Sequence, residues 1–275
     1  MPEISIVETR NIIRVIRQKY NFDFSQYTLT AFRFGLDRTI LRHHLRYPEL
    51  LASRILEDEE FFDELLFDIN DVMVELFRDP ETWVLLKSNI LPHLFETVSM
   101  PRIWFPGVCT VQDIFTLILL LNVEFPEKLV TIYISTFSDK LIDIISKGEI
   151  SAKQLESGME NFEKVIPKCY IKNFLVANEK DSILSGPLFN KITFIKQNLI
   201  PDPLPENSDL IIYRNIMLNY TPESQKILLD KLFNSLDNNG FLITGIKENI
   251  EDYTVKKSNL QIFDKNEKVY IKLTN

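Results

Sequence analysis

Residues 102–113 read RIWFPGVCTVQD, an apolar segment that runs through a turn with one glycine into a second apolar segment. The first part, Arg102–Phe105, is typical of a buried strand, and Asp113–Val123 is typical of a buried helix. A strand that leads through a glycine turn into a helix is the repeating unit of a doubly wound α/β sheet. Because ligands bind such sheets at the carboxyl ends of the strands, the turn at Gly107 is the first place to expect a ligand.

The rest of the C-terminal region continues this alternation of strands and helices. The further strand candidates are Val130–Ser135, Ile192–Ile195, Asp209–Arg214 and Gly240–Gly245, and the further helix candidates are Ser138–Ser146 and Pro222–Leu236. Such alternation implies right-handed crossovers and a mainly parallel sheet. Leu260–Phe263 and Val269–Leu273 flank the polar turn 264–267, which predicts an antiparallel hairpin. We therefore predict an α/β sheet of about seven strands, parallel except near this hairpin.

The N-terminal region has a different pattern. Apolar residues recur at helical spacing from Ile4 to Ile16 and again from Phe61 to Met73, so residues 1–78 are predicted to form an all-α domain. Asp79-Pro80-Glu81 is typical of a helix start, with aspartate as N-cap and proline in the first turn. The predicted domains are therefore residues 1–78 and 79–275.

Composition narrows the class of protein. Hydrophobic residues make up 45% of the chain and charged residues 25%, which is typical of a globular protein. The longest apolar segment, Ile114–Val123, is too short to cross a bilayer, and the N-terminus has no pattern of a signal peptide. The two cysteines, Cys109 and Cys169, form no metal-binding cluster. We expect a cytoplasmic protein without membrane insertion and without a metal.

Charge is distributed unevenly along the N-terminal domain. Between Arg10 and Arg54 there are nine bases and three acids, although the net charge of the whole chain is −8. Arg38, Arg42 and Arg46 recur one helical turn apart and are predicted to form a basic stripe. This stripe is either a solvated helix face or a docking face for an acidic helical partner. Nucleic acid is disfavoured as a partner, since the chain is acidic and has no aromatic-basic strand motif.

In motifs such as Arg78-Asp79-Pro80, Asn198-Leu199 and Arg214-Asn215, the chain resembles the CheR-type chemotaxis receptor methyltransferases, which use S-adenosylmethionine (SAM). The N-terminal part of the resemblance is Arg78-Asp79-Pro80, Leu91-Pro92 and Arg102-Ile103-Trp104. The C-terminal part is Asn198-Leu199, Pro203-Leu204-Pro205 and Asp209-Leu210-Ile211 with Arg214-Asn215. These motifs occur in the family's order from about Phe22 to the C-terminus. The resemblance implies a Rossmann-like class I methyltransferase sheet after a small helical domain.

The resemblance also implies an activity and a site. It implies methyl transfer from SAM to glutamate side chains of a signalling protein or chemoreceptor. A glutamate with a pKa near 4.3 is already ionised at neutral pH and needs no general base. The implied catalytic residues are Arg78, Arg214 and Tyr220, and the implied cofactor-binding residues are Gly107, Asp113, Thr136, Asn198, Leu199 and Asn215.

The sequence departs from the family pattern around the cofactor. Val111 replaces a second glycine, Gln112 replaces an acid for which Asp113 could substitute, and Thr136 replaces the acid that ends the second strand. Val74 replaces a threonine, and Tyr220 lies one position after the expected tyrosine. Residues 170–194, in the place of the family's receptor-docking β-subdomain, contain a single glycine, Gly186.

These departures leave two main hypotheses. One is an active protein-glutamate methyltransferase. The other is a non-catalytic relative, an interaction or regulatory protein that has lost SAM binding. A methyltransferase for small molecules is a third hypothesis, which would give the basic helical domain no purpose. Binding of SAM or of S-adenosylhomocysteine discriminates between the first two.

Overall fold

The structure is a computed structural model that describes residues 4–45, 49–70, 75–107, 110–166, 175–177, 181–184, 192–256 and 259–274. The N-terminal part contains α1 (Ile6–Tyr20), α2 (Leu29–Arg42), α3 (Glu49–Glu57) and α4 (Glu59–Asn70). Ser5 and Glu8 form a capping box that starts α1, and Thr28 caps α2. These helices bury a separate apolar core that includes Ile16, Phe32 and Leu65.

The C-terminal part is a seven-stranded sheet in the order β6-β2-β1-β7-β8-β10-β9. Its strands are β1 (Arg102–Phe105), β2 (Thr131–Thr136), β6 (Ile192–Lys196), β7 (Ser208–Tyr213), β8 (Leu236–Thr244), β9 (Leu260–Asp264) and β10 (Val269–Lys272). The first five in spatial order pair in parallel, and β10 pairs antiparallel with both β8 and β9. The predicted sheet and its antiparallel hairpin are confirmed.

Helices connect the strands as the alternation predicts. Three of them were predicted, α7 (Val111–Glu124), α8 (Asp139–Lys147) and α10 (Pro222–Ser235), whereas α9 (Ala152–Val165) and α11 (Glu251–Lys256) were not. Helix α7 is buried almost all round, because it packs between the sheet and other helices. Ahead of β1, α5 (Pro80–Leu85) continues through a π-helical turn (Leu86–Ile90) into α6 (Leu91–Thr97).

The sequence pattern did not predict the strands of a second, three-stranded sheet, although the family resemblance implies a β-subdomain at residues 170–194. Its strands are β3 (Glu149–Ser151), β4 (Leu175–Ala177) and β5 (Asp181–Leu184), and β5 lies in the middle. Strands of three or four residues are too short for an alternating pattern to stand out. Most of residues 170–191, including Gly186, lie outside the described residues.

The helical domain is fastened to the sheet by specific contacts. The carboxylate of Asp63 on α4 accepts hydrogen bonds from the backbone N–H groups of Asp139 and Lys140, at 2.8 and 2.7 Å. The Phe22 ring meets Phe137, just after β2, edge to face at 4.8 Å. Helix α4 thus caps the first turn of α8 from another part of the chain.

Within the described ranges, no helix has the length and apolar character that a bilayer span requires. In the same ranges, no group of three or more His, Cys, Asp and Glu side chains could hold a metal ion.

Candidate active site

The candidate residues gather at one edge of the sheet, where its parallel strands end. Gly107 follows β1, and Thr136 ends β2. Asn198 and Leu199 follow β6, and Arg214 and Asn215 follow β7. Parallel strands place their carboxyl ends on the same edge, and this edge is where ligands bind in open α/β sheets.

Position 107 requires glycine because of its backbone conformation and because Leu199 packs closely against it. Its φ is +71°, a value that residues with a Cβ rarely adopt. A Cβ on Gly107 would lie 3.0 Å from Cδ1 of Leu199, whose side chain is almost fully buried. The structure therefore brings together Gly107 and Leu199, two of the predicted cofactor-binding residues.

Val111, which replaces a second glycine, causes no strain here. It is the first residue of α7 and is not among the described residues with positive φ. A β-branched side chain is acceptable at such a position, because the backbone there is already helical. Val108 and Cys109, which complete the turn, lie outside the described residues.

The first turn of α7 buries two hydrogen-bond acceptors. Thr110 is the N-cap and accepts a hydrogen bond from the Asp113 N–H. Gln112 and Asp113 are both buried, and among the described residues Oε1 of Gln112 and Oδ2 of Asp113 have no hydrogen-bond partner. Buried polar atoms normally have partners. Two such acceptors beside Gly107 suit a ligand that carries positively charged donors.

Arg214 is held within the protein by two carboxylates. Its Nη2 lies 2.5 Å from Oδ2 of Asp79, and its Nη1 lies 3.1 Å from Oδ1 of Asp113. Nη2 also donates to the carbonyl of Arg78 at 3.3 Å, and only 1% of the Arg214 side chain is exposed. Burial raises the pKa of Asp113, while the positive charge of Arg214 opposes that rise. The guanidinium of Arg214 thus already pairs with two acids, and the implied catalytic role of Arg214 stays a prediction.

Asp79 does not cap helix α5 with its side chain, although the sequence predicts that it does. It stands at the N-cap position of α5 but makes no side-chain cap hydrogen bond, because its carboxylate pairs with Arg214 instead. Its φ of 53° is left-handed, as is the φ of 55° at Phe77. Backbone strain of this kind costs of order 1–3 kcal/mol for each residue and is concentrated at functional sites.

Arg78 lies between these two strained residues and is the more accessible arginine. Its side chain is 26% exposed, and its Nε lies 4.0 Å from Oδ2 of Asp79. Its carbonyl accepts hydrogen bonds from Nε1 of Trp83 and from Arg214. The backbone of Arg78 is thus fixed while its guanidinium reaches the edge of the site.

Thr136 is placed at the end of β2 as predicted, but its oxygen is already engaged. Oγ1 accepts a hydrogen bond from the Ser138 N–H at 3.2 Å, and the residue is 1% exposed. This contact forms the turn into α8. The hydroxyl hydrogen can still donate, so its contact with a cofactor stays a prediction.

A cleft of about 460 Å³ opens beside β2 and β6. One wall comes from the helical domain and the other from the ends of these strands; its lining includes Arg17, Phe22, Asp23, Phe137, Asn198 and Asp202. Asp202 Oδ2 accepts from the Asn198 N–H at 2.7 Å. Although burial acts to raise the pKa of Asp23, hydrogen bonds from Ser25 and the charge of Arg17 lower it. The sequence analysis did not single out Asp23 or Asp202, because they come from separate parts of the chain.

Tyr220 is buried against the helical domain. Its hydroxyl lies 3.1 Å from the hydroxyl of Tyr27, and the ring centroids are 4.5 Å apart. The surrounding backbone is paired as well, since the Thr28 N–H donates to the Asn219 carbonyl at 2.7 Å. Burial raises the pKa of Tyr220 well above its usual value, so the phenol stays neutral. A catalytic role for Tyr220 stays a prediction, whereas its link to Tyr27 is a structural fact.

Asn215 lies in a tight loop, with a φ of 60°. Its N–H donates to Oε2 of Glu248 at 2.9 Å. Glu248 is fully buried, and the sequence analysis did not single it out.

Two arginines of the predicted basic stripe, Arg38 and Arg42, make contacts within the helical domain. Arg38 donates to the Ile69 carbonyl at 3.3 Å, and Arg42 pairs with the fully buried Asp68 at 2.8 Å. Arg46 lies outside the described residues. Arg38 and Arg42 thus both contact α4, although 37% of the Arg42 side chain stays exposed, and their projection from one surface stays a prediction. Their use by a partner stays a prediction.

Comparison with known proteins identifies the family. Residues 73–265 match the family described as CheR methyltransferase, SAM binding domain. The chain is similar to a protein named Cher3 in Pseudomonas putida, at 23% identity over 89% of each chain. It is also similar to the chemotaxis protein methyltransferase of Listeria innocua, at 22% identity over 86% of this chain and 88% of that protein.

Among solved structures, the chain is similar to the N-methyltransferase NodS of Bradyrhizobium japonicum in complex with S-adenosylhomocysteine. The identity is 11%, the coverage is 82% of this chain and 95% of that one, and the TM-score is 0.37. This likeness is too distant to add to the match of sequence motifs. With more than half of its residues matched by one family, the chain belongs to the CheR methyltransferases, whose SAM-binding domain makes SAM the cofactor.

Proposed function

We propose that this methyltransferase transfers the methyl group of SAM to glutamate side chains of a helical signalling protein of the chemoreceptor type. The observation that carries the proposal is the chemistry of the side chains at the carboxyl edge. They include arginines and buried phenols, and burial raises the pKa of both Tyr213 and Tyr220 well above the usual value. Such phenols are poor general bases at neutral pH. An acceptor that is already ionised, such as glutamate, needs no base.

The residues that would hold the cofactor are those around Gly107. Leu199 packs on Gly107, Asn198 lines the cleft beside β6, and Asp113 keeps one buried oxygen without a partner among the described residues. This set fits a ligand with an adenosine part and a cationic amino-acid part. When bound, SAM supplies an electrophilic methyl group on a sulfonium centre.

The protein's own contribution is orientation and exclusion of water. Arg78 is proposed to bind the acceptor carboxylate, because a guanidinium binds a carboxylate with two parallel hydrogen bonds. Arg214 is proposed to hold Asp79 and Asp113 in place next to the reacting groups. The helical domain, which supplies Phe22 and Tyr27 near this edge, is proposed to keep water from the carboxylate.

The test measures transfer of labelled methyl groups from SAM to a helical receptor fragment that carries glutamates. A glutamyl methyl ester releases its label as volatile methanol in alkali, whereas methylated nitrogen does not. A matched fragment with glutamine at the same positions should accept no label. Label that resists alkali, or no transfer to any glutamate, would contradict the proposal; the second result together with absent SAM binding would favour the non-catalytic role.

Variants of Arg78 test its proposed role in that assay. Arg78→Ala should lower kcat/KM for the acceptor about tenfold to hundredfold, the equivalent of one charge-assisted hydrogen-bonded contact. Arg102→Ala is the matched control, since Arg102 starts β1 at the opposite edge of the sheet. Equal activity of the two variants would contradict the role of Arg78.

A further inference from the structure

The loop that leaves β7 carries two of the predicted site residues, Arg214 and Asn215. Asn215 turns the chain with a left-handed φ of 60°, and a 3-10 turn at Met217–Asn219 follows. Several backbone N–H groups of this loop point inward, where no regular ladder is available to accept them. Their hydrogen-bond acceptor is a single side chain, Glu248.

Glu248 joins this loop to the end of β8. Its Oε2 accepts from the Gly245 N–H at 2.6 Å and from the Asn215 N–H at 2.9 Å. Its Oε1 accepts from the Met217 N–H at 2.7 Å. In the described part of the chain these contacts are with backbone amides rather than with a basic side chain. The carboxylate thus links the loop after β7 to the end of β8 through hydrogen bonds.

The packing at Gly245 shows how closely the two strand ends approach. A Cβ on Gly245 would lie 2.6 Å from Oδ1 of Asn215 and 2.9 Å from Oε2 of Glu248. No larger residue fits there without moving one of them. The position of the Asn215 side chain is therefore determined jointly by Gly245 and Glu248.

The surroundings of Glu248 disfavour its charged form. Burial raises the pKa of Glu248, and the backbone hydrogen bonds only partly oppose that rise. A carboxyl whose folded pKa exceeds its unfolded pKa binds protons more readily in the folded protein, so its ionisation at neutral pH opposes folding. The three backbone hydrogen bonds of Glu248 hold the loop after β7 against the end of β8, and this geometry orders Asn215 and Met217.

We propose that Glu248 is a positioning residue for methyl transfer, which holds the Arg214–Asn215 loop at the carboxyl end of β7 in its active geometry. It touches neither substrate nor cofactor and acts through Asn215 and Met217. The proposal rests on the methyl transfer proposed above. Asn215 is itself among the implied cofactor-binding residues, but Gly107, Asn198 and Leu199 follow other strands, so the loss of Glu248 should affect the acceptor side more than the affinity for SAM.

The test compares Glu248→Gln with Glu223→Gln in the full-length protein. Glutamine keeps the shape but turns an amide NH₂ toward backbone donors, whereas Glu223 is an exposed acid at the start of α10. Glu248→Gln should lower kcat at least about tenfold, since a displacement of about 1 Å can cost a hundredfold in rate. SAM affinity, measured by calorimetry, should change less than about threefold. Glu223→Gln should leave both unchanged.

Hydrogen exchange gives a readout that does not depend on activity. The amides of Asn215 and Met217 should lose protection in Glu248→Gln, while amides in β1 keep theirs. If the wild-type protein methylates no glutamate, the proposal that glutamate is the methyl acceptor is wrong. The amide exchange and SAM affinity of Glu248→Gln then still test whether Glu248 orders the loop.

Three results would overturn the proposal. The first is wild-type kcat in Glu248→Gln, and the second is unchanged protection of Asn215 and Met217. The third is that Glu248→Gln and Glu248→Asp both fail to fold; aspartate keeps the charge on a side chain too short to reach both strand ends. If both Glu248 variants fail to fold, Glu248 is a residue of the fold and not a positioning residue.

Discussion

At the scale of single residues, Arg214 shows how a buried charge is stabilised by others. Its guanidinium lies within 3.1 Å of carboxylate oxygens of both Asp79 and Asp113 and 5.5 Å from the centre of the Trp83 ring. Burying these charges is costly, and the cost is offset only while all the partners remain. Arg214 therefore maintains the positions of Asp79 and Asp113, which lie near the turn at Gly107.

This arrangement predicts a stability effect at Arg214. Arg214→Ala should lower the free energy of unfolding by about 3–5 kcal/mol, because the buried Asp113 and the partly buried Asp79 both lose their counter-charge. Arg78→Ala, which removes a partly exposed arginine, should cost no more than about 1 kcal/mol. Urea unfolding measures both. Equal stabilities of the two variants would show that Arg214 serves only a substrate.

At the scale of elements, the packing of α2 on α4 depends on a buried polar cluster. Thr39 donates to Oδ2 of Asp68 at 2.9 Å, and Arg42 pairs with its Oδ1. A Cβ on Gly35 would lie 2.5 Å from the Ile69 side chain, so the two helices are in close contact there. Burial raises the pKa of Asp68, and the Thr39 hydrogen bond and the charge of Arg42 oppose the rise.

Charge reversal at Arg42 should therefore destabilise the helical domain. Arg42→Glu places a second negative charge against Asp68 and should cost about 1–3 kcal/mol, the penalty of a buried group that loses its partner. Arg10→Glu, an exposed site on α1, should change stability by less than about 0.5 kcal/mol. Thermal unfolding of both variants gives the comparison. A stable Arg42→Glu protein would support the prediction of a solvated or partner-binding stripe.

At the scale of the whole molecule, the helical domain forms part of the active-site edge. It supplies Phe22 against Phe137, Asp63 as a cap on α8, and Tyr27 against Tyr220. These contacts reach the ends of β2 and the loop after β7. The helical domain and the strand ends thus line opposite sides of the cleft. A movement of one part relative to the other would change the shape of the cleft.

The tyrosine pair tests this coupling. Tyr27→Phe and Tyr220→Phe each remove one hydroxyl of the hydrogen bond between the domains. A double-mutant cycle in urea should give a coupling of about 0.5–1.5 kcal/mol, the usual net value of a hydrogen bond. Additive effects would contradict a direct link. Activity measured in parallel separates a catalytic role of Tyr220, since only that role makes Tyr220→Phe slower than Tyr27→Phe.

The sequence by itself determined the order of the main elements. Arg102–Phe105 is a strand with the predicted bounds, the strand-helix alternation yields a parallel sheet, and the last two segments pair as a hairpin. These features follow from short-range periodicity and turn chemistry, which one stretch of chain contains in full. The motifs also placed Gly107, Leu199 and Arg214 at one edge, since consecutive parallel strands end on the same side.

Only the tertiary structure decided which of these residues meet. Arg214 pairs with acids 101 and 135 positions away, and Tyr27 meets Tyr220 across 193 positions. The sequence pattern of an arginine is the same whether it faces a substrate, a buried acid or water, so Arg214 and Arg42 could not be distinguished from free cations. The role of Glu248 could not be predicted either. Its partners are backbone amides, which every residue except proline carries, so no sequence pattern indicates them.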